Sequence, residues 1–281
     1  MVKPLFKWTG GKGRLLAKYT DVNFFPDADK FDTFVDLFCG SGATFLWVAE
    51  RYPDKKLIIN DKNTELVTMY RHIADEWDEF IIYYHDYVSQ FLYGDKEDRK
   101  RLYDYYKEVY AFEYVNMDSV QVSALLLVML KINFNGIWKS YFKWASRYST
   151  PAGTMTYKTT TELFSSQKLL EFRDIIRRAT ILNVSFEEVN VPDRSWVYAD
   201  PPYRDSHKMY SDQFDDTQQK QLGEFLKNQN GLYAESNKEI GDGFWRDLYP
   251  DAHIHELEHK YTCARGDNTV LVTEVLIKNY K

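Results

Sequence analysis

Cysteine, proline and glycine are all scarce in this chain, with 2, 8 and 13 copies among 281 residues. The cysteines, Cys39 and Cys263, provide neither a disulfide framework nor the paired spacing of a zinc site, and the sequence predicts no metal centre. The longest apolar run, residues 124–130, is far shorter than the roughly 20 residues that a membrane span needs. The chain also starts without the apolar core of a signal peptide, so we expect a cytoplasmic protein with no membrane partner.

Acidic residues are missing from residues 119–161, although the whole chain carries a net charge of −6. Basic side chains interleaved with aromatic ones suit a phosphate backbone and unstacked bases, whereas a lysine-fringed surface over an ordinary aromatic core is the alternative. The charge distribution therefore favours a nucleic-acid partner despite the acidic total. The residues concerned are Lys131, Lys139, Lys143, Arg147 and Lys158, together with Phe134, Trp138, Tyr141, Phe142, Trp144, Tyr148 and Tyr157.

The tetrapeptide Asp200-Pro201-Pro202-Tyr203 follows residues 194–199, an apolar and aromatic run that predicts a buried strand. Open α/β sheets bind ligands where their strands end. Neither proline has an N–H, so the turn offers carbonyl acceptors beside a carboxylate and a flat ring. Such a site suits an amine on a planar base, and a strand that simply stops in a proline turn is the alternative.

A second motif predicts a nucleotide-binding unit. Residues 31–50 show the pattern of a strand, a Gly-x-Gly loop and a helix, in which Gly40 and Gly42 would let a ligand approach the backbone. The next predicted strand, residues 56–60, is followed by Asp61. The spacing along the sequence between the Gly-x-Gly loop and Asp61 is typical of an acid that binds ribose hydroxyls. Because the third glycine of a dinucleotide site is missing, the pattern favours a nucleoside without a pyrophosphate.

The rest of the chain predicts an α/β core with an insertion. Residues 65–130 have a mainly helical pattern and lead into the basic aromatic stretch. We therefore predict a catalytic domain of residues 1–68 and 163–281, interrupted by a recognition domain of residues 69–162. The α/β pattern resumes with helix and strand signals at residues 165–178, 179–184, 217–229, 231–235, 253–260 and 269–278.

In their order along the chain, these motifs resemble those of the Dam-type DNA adenine-N6 methyltransferases, which use S-adenosylmethionine. The resemblance implies an α/β fold: a Rossmann-like methyltransferase sheet with an inserted, mainly helical DNA-recognition domain. It also implies a bacterial or phage-encoded restriction–modification type of enzyme that acts on double-stranded DNA, as a monomer or as a weak dimer on DNA. The matching positions are residues 7–12, residues 35–42, Asp61, Asn135-Gly136, Pro151-x-Gly153, Asp200-Pro-Pro-Tyr203, Ser236-Asn237 and residues 273–280.

The resemblance also implies roles for individual residues. Asp200 and the Pro201 carbonyl would accept the two hydrogens of adenine N6, in a motif completed by Pro202. Tyr203 would stack on a base flipped out of the duplex. Lys12 would bind the methionine carboxylate of the cofactor. The complete set of expected cofactor contacts is Trp8, Gly10, Lys12, Asp36, Phe38, Gly40, Gly42, Asp61 and Phe186, with Asp36 at the methionine ammonium and core packing as the alternative for Trp8 and Phe186.

DNA contacts are expected from Asn135, Lys139, Lys143, Arg147 and Pro151, with Lys139 toward a base edge. Enzymes of the family that read GATC carry an arginine three residues after Asn-Gly, where this chain has Lys139. Because lysine cannot form the bidentate fork to guanine that arginine forms, the resemblance does not extend to a GATC target.

Three other functions remain open on the sequence. Methylation of cytosine N4 or of an RNA base would use a similar acid-Pro-Pro-aromatic motif. A DNA-binding protein without chemistry would retain the cofactor pocket, although the intact motif at residues 200–203 argues against it. A nicotinamide oxidoreductase is opposed by the missing third glycine.

Overall fold

The structure is a computed structural model, and it describes residues 2–8, 10–134, 136–138, 150–155, 163–204, 214–261 and 270–281. The chain divides into two compact units. The first, which we call the helical unit, contains Met1–Gly11 and Asn63–Arg178. The second, which we call the sheet unit, contains Lys12–Lys62 and Ala179–Lys281.

The compact units divide the chain at other positions than the predicted domains do, because residues 1–11 and 163–178, which the sequence assigns to the catalytic domain, belong to the helical unit. Lys131 shows how they are attached. Its ammonium donates hydrogen bonds to the carbonyl oxygens of Leu5 at 2.8 Å and Leu163 at 3.0 Å. Burial lowers the pKa of Lys131 to about 7. Which unit carries which function stays a prediction.

The helices follow the predicted pattern closely, and they are numbered here in chain order. The helical unit holds α3 to α7, and the sheet unit holds the other described helices. The bounds are α1 (Leu16–Asp21), α2 (Ala43–Arg51), α3 (Thr64–Asp75), α4 (Trp77–Tyr93), α5 (Lys96–Glu108), α6 (Ser119–Ile132), α7 (Ser166–Ile176), α8 (Asp216–Lys227) and α9 (Phe244–Leu248).

The apolar run that the sequence shows at residues 124–130 lies within α6, and each of these residues is buried. The helix begins after Asp118, whose carboxylate accepts a hydrogen bond from the Val120 N–H at 2.8 Å and so caps the free N–H groups of the first turn. α6 is thus a core helix of the helical unit. Across the described ranges of the chain, no helix is both long and apolar enough to cross a membrane.

The described strands form one sheet in the sheet unit. They are β1 (Thr33–Asp36), β2 (Lys56–Asn60), β3 (Ala179–Leu182), β4 (Ser195–Ala199), β5 (Leu232–Lys238), β6 (His253–Tyr261) and β7 (Val270–Lys278). Their order is β3-β2-β1-β4-β5-β7-β6. β1 to β5 are parallel, whereas β7 is antiparallel to both of its neighbours. This arrangement confirms the predicted α/β fold with a Rossmann-like methyltransferase sheet.

The middle of the sheet is formed by β1 and β4, which lie side by side. Every residue of both strands is buried, as expected for parallel strands covered on both faces. Asp36, the last residue of β1, is paired in register with Tyr198 of β4. Because β2 adjoins one edge of β1 and β4 adjoins the other, the ends of β1 and β4 form the switch point at which such sheets bind ligands.

Apart from shifts of one or two residues at the ends of elements, two details of the sheet unit differ from the sequence predictions. The pattern predicts that the fifth strand ends at residue 235, but β5 continues through Ser236 and Asn237 because β7 pairs with it as far as Lys238. The sequence also does not predict α9. A helix of 5 residues is too short to show a helical period, although Gly243 before it has a φ of 78° that suits a glycine.

Candidate active site

Asp200 follows the last residue of β4 and lies in a buried polar cluster. Its Oδ1 atom is 2.7 Å from the Nζ atom of Lys12. Ser236, on β5, donates a hydrogen bond to the same oxygen at 2.9 Å. Glu274, on β7, lies 3.7 Å from the Lys12 ammonium and accepts a hydrogen bond from the Tyr19 hydroxyl. The sheet therefore places one buried cation between two carboxylates.

The charge state of Asp200 depends on two opposing effects. The pKa of Asp200 is raised to about 6, with burial as the largest cause and the Lys12 ammonium opposing the rise. Glu274 adds to the rise and the Ser236 hydrogen bond opposes it. With a pKa of about 6 the carboxylate is mostly ionised at neutral pH, and because 19% of the Asp200 side chain remains exposed, a substrate can still reach it.

Lys12 also contacts the other end of the tetrapeptide. Its ammonium donates a hydrogen bond to the Tyr203 hydroxyl and lies 4.4 Å from the centre of the Tyr203 ring. Burial, followed by the charges of Glu274 and Asp200, raises the pKa of Tyr203 well above its ordinary value. Tyr203 is therefore a neutral phenol, and one lysine links the acid and the aromatic ring of the motif.

The chain is anchored immediately after Tyr203 by Arg204. The guanidinium of Arg204 binds the carboxylate of Asp216 at 2.8 Å and that of Asp242 at 2.9 Å. It also lies 3.8 Å from the ring centre of Phe244. A buried guanidinium with paired carboxylates holds the backbone in one place, so the end of the tetrapeptide is fixed to α8 and to the loop before α9.

The predicted cofactor loop follows β1. Gly40 and Gly42 have φ angles of 45° and 80°, which a residue with a Cβ atom adopts only with strain. The Gly40 N–H donates a hydrogen bond to Asp61 at 2.8 Å, so the acid after β2 is joined to the loop after β1. The rings of Phe38 and Phe186 lie 5.8 Å apart. The structure thus brings these five predicted residues together in the sheet unit.

Asp36 carries the clearest mark of a binding site. It is 1% exposed, and its Oδ1 atom has no hydrogen-bond donor among the residues that the structure describes. Burial, followed by the charge of Asp200, raises the pKa of Asp36 well above its ordinary value. A buried carboxylate oxygen without a donor is costly, and a bound cation would remove the cost. The α-ammonium of S-adenosylmethionine is such a cation, so this residue fits the cofactor.

Trp8 and Gly10 fall in the helical unit, and their predicted cofactor contacts stay predictions. The Trp8 ring lies 5.9 Å from that of Phe6. In the same unit, Gly136 has a φ of 71°, and a Cβ atom there would lie 2.4 Å from the carbonyl oxygen of Lys7. Only glycine fits at that position, so the turn that the resemblance identifies packs against the backbone of the N-terminal motif.

Of the predicted DNA contacts, the structure describes one. Pro151 is exposed, and its carbonyl oxygen accepts a hydrogen bond from the Phe134 N–H at 2.9 Å, which ties the Pro-x-Gly segment to the end of α6. The other four, Asn135, Lys139, Lys143 and Arg147, lie outside the described residues.

Several site residues have no role in the sequence predictions. Glu274 sits in an apolar strand, where a lone acid is a signal that could have been used. Glu235 is likewise a buried acid: burial raises its pKa to about 7, and the Tyr249 hydroxyl donates a hydrogen bond to it. Gln219 and Arg204 show no comparable signal, because a polar residue on a helix or in a loop is expected at the surface.

A chain with this sheet and this tetrapeptide at its switch point is a methyltransferase that acts on planar amines. Residues 8–263 match the model of the D12 class N6 adenine-specific DNA methyltransferases, and the chain belongs to that family. The Type II methyltransferase M.MjaIII of Methanocaldococcus jannaschii is 27% identical, and the match covers 99% of each chain. M.CviBI of Paramecium bursaria Chlorella virus NC1A is 28% identical over 99% of this chain and 100% of its own. M1.LlaDCHI of Lactococcus lactis subsp. cremoris is 24% identical over 99% and 96%.

The family confirms the predicted enzyme class, adenine-N6 DNA methylation. It also implies S-adenosylmethionine as the methyl donor and DNA as the substrate.

Proposed function

We propose that this enzyme flips an adenine out of a specific duplex sequence and methylates N6 with Asp200, Pro201, Pro202 and Tyr203 at the reacting base. The observation that supports this best is the state of Asp200. It lies at the switch point of the sheet, partly exposed, with Lys12 at 2.7 Å and with a pKa of about 6. An ionised acceptor in a largely buried site is what the reaction requires.

The chemistry explains why two acceptors are needed. The lone pair of adenine N6 is conjugated with the ring, so the nitrogen is a weak nucleophile. The Asp200 carboxylate and the Pro201 carbonyl accept hydrogen bonds from the two N6 hydrogens, which directs electron density back to nitrogen as it attacks. Tyr203 stacks on the flipped base and holds it in the plane of these acceptors.

Asp200 also receives the proton that the reaction releases. N6 begins with two hydrogens and gains a bond to carbon, so it must lose one proton to become a neutral secondary amine. A carboxylate with a pKa of about 6 accepts that proton as N6 becomes cationic and returns it to solvent at neutral pH.

S-adenosylmethionine, when bound, supplies a methyl group on a positively charged sulfur. Asp36 would hold its ammonium, Asp61 its ribose and Phe186 its adenine ring. Gly40 and Gly42 would admit it to the backbone, and Phe38 would face the sulfonium charge. The proposed contacts of Trp8, Gly10 and Lys12 rest on the resemblance to Dam-type enzymes.

The test of the proposed function is to identify the product. Purified protein is incubated with labelled S-adenosylmethionine and unmethylated duplex DNA of mixed sequence, and the digested nucleosides are separated. Label in N6-methyladenine is the expected result. Label in N4-methylcytosine, label in RNA alone when RNA is supplied, or no label in either nucleic acid would each contradict the proposal.

Sequence recognition is proposed to lie in residues 69–162. Asn135, Lys139, Lys143, Arg147 and Pro151 are the proposed DNA contacts, because the segment around them is basic, aromatic and free of acids. We also propose that one chain acts alone, since it contains the whole set of motifs that the family resemblance requires.

Replacing Lys143 with glutamine should weaken DNA binding in a salt-dependent way. Each phosphate contact releases counterions, so the slope of log K against log salt should become shallower by about 1. The measurement is fluorescence anisotropy with labelled duplex DNA at several salt concentrations. Lys56→Gln is the matched control, since Lys56 is an exposed lysine. It is the first residue of β2, whereas Asp61 follows the last residue of that strand. An unchanged slope in Lys143→Gln would place the phosphate contacts elsewhere.

A further inference from the structure

Two buried amides lie directly behind the Asp200–Tyr203 tetrapeptide. Gln219 is on α8 and Asn237 is on β5, and each is 0% exposed. The Asn237 Nδ2 atom donates a hydrogen bond to the Gln219 Oε1 atom at 3.1 Å. We call them the amide pair. Burying two amides is costly unless their polar atoms are bonded, so their remaining partners indicate what they do.

The remaining partners fix the orientation of both amides. The Asn237 Oδ1 atom accepts the backbone N–H of Arg204 at 3.1 Å and that of Lys238 at 2.9 Å. A backbone N–H can only donate, so the amino group of Asn237 must point at Gln219. Gln219 then accepts with its oxygen, and its Nε2 atom is left to donate to the Pro202 carbonyl oxygen at 2.9 Å.

These two backbone contacts enclose Tyr203. The Pro202 carbonyl belongs to the peptide group before Tyr203, and the Arg204 N–H belongs to the peptide group after it. Fixing both peptide planes fixes φ and ψ of the residue between them, because these are the only soft backbone torsions. The amide pair therefore sets the direction in which the Tyr203 ring leaves the backbone.

We propose that Gln219 and Asn237 are positioning residues of the methyl transfer, which hold Tyr203 and the adjoining proline carbonyls in place for the flipped adenine. The proposal rests on the proposed function, since it assigns the two amides to the same site. Neither side chain has to touch the substrate, because each acts through the backbone of the tetrapeptide.

Further contacts brace the amide pair from behind. Asn237 Nδ2 lies 3.4 Å from the Glu235 Oε1 atom, and Tyr249 donates a hydrogen bond to the other Glu235 oxygen. This chain of contacts runs from the loop after α9, through β5 and α8, to Pro202. Its rigidity is useful because a misplacement of about 1 Å at a reacting centre can reduce a rate by about 10²-fold.

Two substitutions of Gln219 test the proposal in opposite ways. Gln219→Met keeps the length of the side chain but donates nothing to Pro202, and the single-turnover rate with labelled S-adenosylmethionine and mixed-sequence duplex should fall by about 10²-fold. Gln219→Glu can donate to Pro202 only when its carboxyl is protonated. The ratio of its rate to that of the wild type should therefore be highest at low pH and fall as pH rises.

Dividing by the wild-type rate removes the effect of groups that titrate in both proteins. These are Asp200, beside the substrate, and Glu235, on β5, while the Arg204 cluster with Asp216 and Asp242 stays charged in both. A purely structural role for Gln219 would lower the ratio at high pH only as far as Gln219→Glu unfolds there, so the ratio is compared at each pH with the folded fraction measured by circular dichroism. The pH dependence also decides the question if Gln219→Met fails to fold.

Gln218→Met is the matched control, because the contact that the Gln218 amide makes to the described residues is the cap of α8, in which it accepts the Asp215 N–H at 3.2 Å. It should lower the unfolding temperature without slowing methyl transfer. A wild-type rate in Gln219→Met, or a flat pH ratio in Gln219→Glu, would overturn the proposal. Because wild-type protein is assayed beside the variants, absence of transfer in all of them would instead count against the proposed function.

Discussion

Replacing Asp200 with alanine should reduce methyl transfer by about 10³-fold or more while cofactor binding stays close to that of the wild type. The substitution removes an ionised acceptor that acts on the N6 hydrogens, and one such group in a buried site contributes about 10²–10³ to a rate. It also removes the base that takes the released proton, which contributes about 10²–10⁴. The rate is measured in single turnover, and cofactor affinity by calorimetry.

Asp61→Ala serves as the control, because it should weaken cofactor binding while having a smaller effect on the rate of methyl transfer. Asp61 accepts the Gly40 N–H at 2.8 Å, so its loss loosens the glycine loop and removes the proposed ribose ligand. We expect cofactor binding to weaken by about 10-fold or more, equivalent to about 1.4 kcal/mol, with a smaller effect on the rate at saturating cofactor. A near-native single-turnover rate for Asp200→Ala would refute the proposed role of the carboxylate.

Most of the fold can be predicted from local patterns. The strands of the switch point are continuous apolar runs, and a run of this kind that ends in glycine or in Asp-Pro-Pro marks both the strand and its functional end. The prediction is least accurate where a distant partner decides the outcome. β5 extends through Ser236 and Asn237 because β7 pairs with it there. The sequence around residue 236 does not predict this pairing, because β7 lies far away along the chain.

The residues of the site divide in the same way. Asp36, Gly40, Asp61 and Asp200 lie at or just after the ends of strands, and the sequence predicts them as site residues. The contacts between Lys12 and the tetrapeptide cannot be predicted, since Lys12 and Tyr203 are 191 residues apart. Gln219 is also missed, because helical periodicity identifies a buried face only when that face is apolar.

The cluster around Asp200 also explains why a cation must be buried there. Three acids of the cluster, Asp36, Glu235 and Glu274, lie on β1, β5 and β7 of one sheet. Asp200 directly follows β4, and the negative charges of these acids repel one another. Burial is the largest cause of the raised pKa of both Asp36 and Asp200; the charge of Asp200 adds to the rise for Asp36, and the charge of Glu274 adds to the rise for Asp200. A catalytic carboxylate in such surroundings would become protonated near neutral pH without a cation beside it, and Lys12 is that cation.

Replacing Lys12 with methionine should therefore move the acid limb of the pH–rate profile to higher pH. The Lys12 ammonium lowers the pKa of Asp200, whose value is about 6 with the lysine present, so removing the ammonium raises that pKa. An opposite charge in contact is worth about 1–3 pH units, and the limb should shift by that amount. Because only the ionised carboxylate accepts the N6 hydrogens, a rise in this pKa of about 1–3 pH units from about 6 should lower the rate at pH 7 by about 2- to 90-fold, and the rate should recover in alkali.

Lys278→Met is the matched control, because Lys278 is a lysine of the same unit that is 1% exposed and bonds to the Asn23 carbonyl at 3.1 Å. Its loss should lower stability but leave the acid limb in place. Single-turnover rates from pH 5 to 10, with cofactor affinity measured at each pH, distinguish the two roles considered for Lys12. An unshifted limb combined with weakened cofactor binding would show that Lys12 serves the methionine carboxylate, whereas a shifted limb would show that it keeps Asp200 ionised.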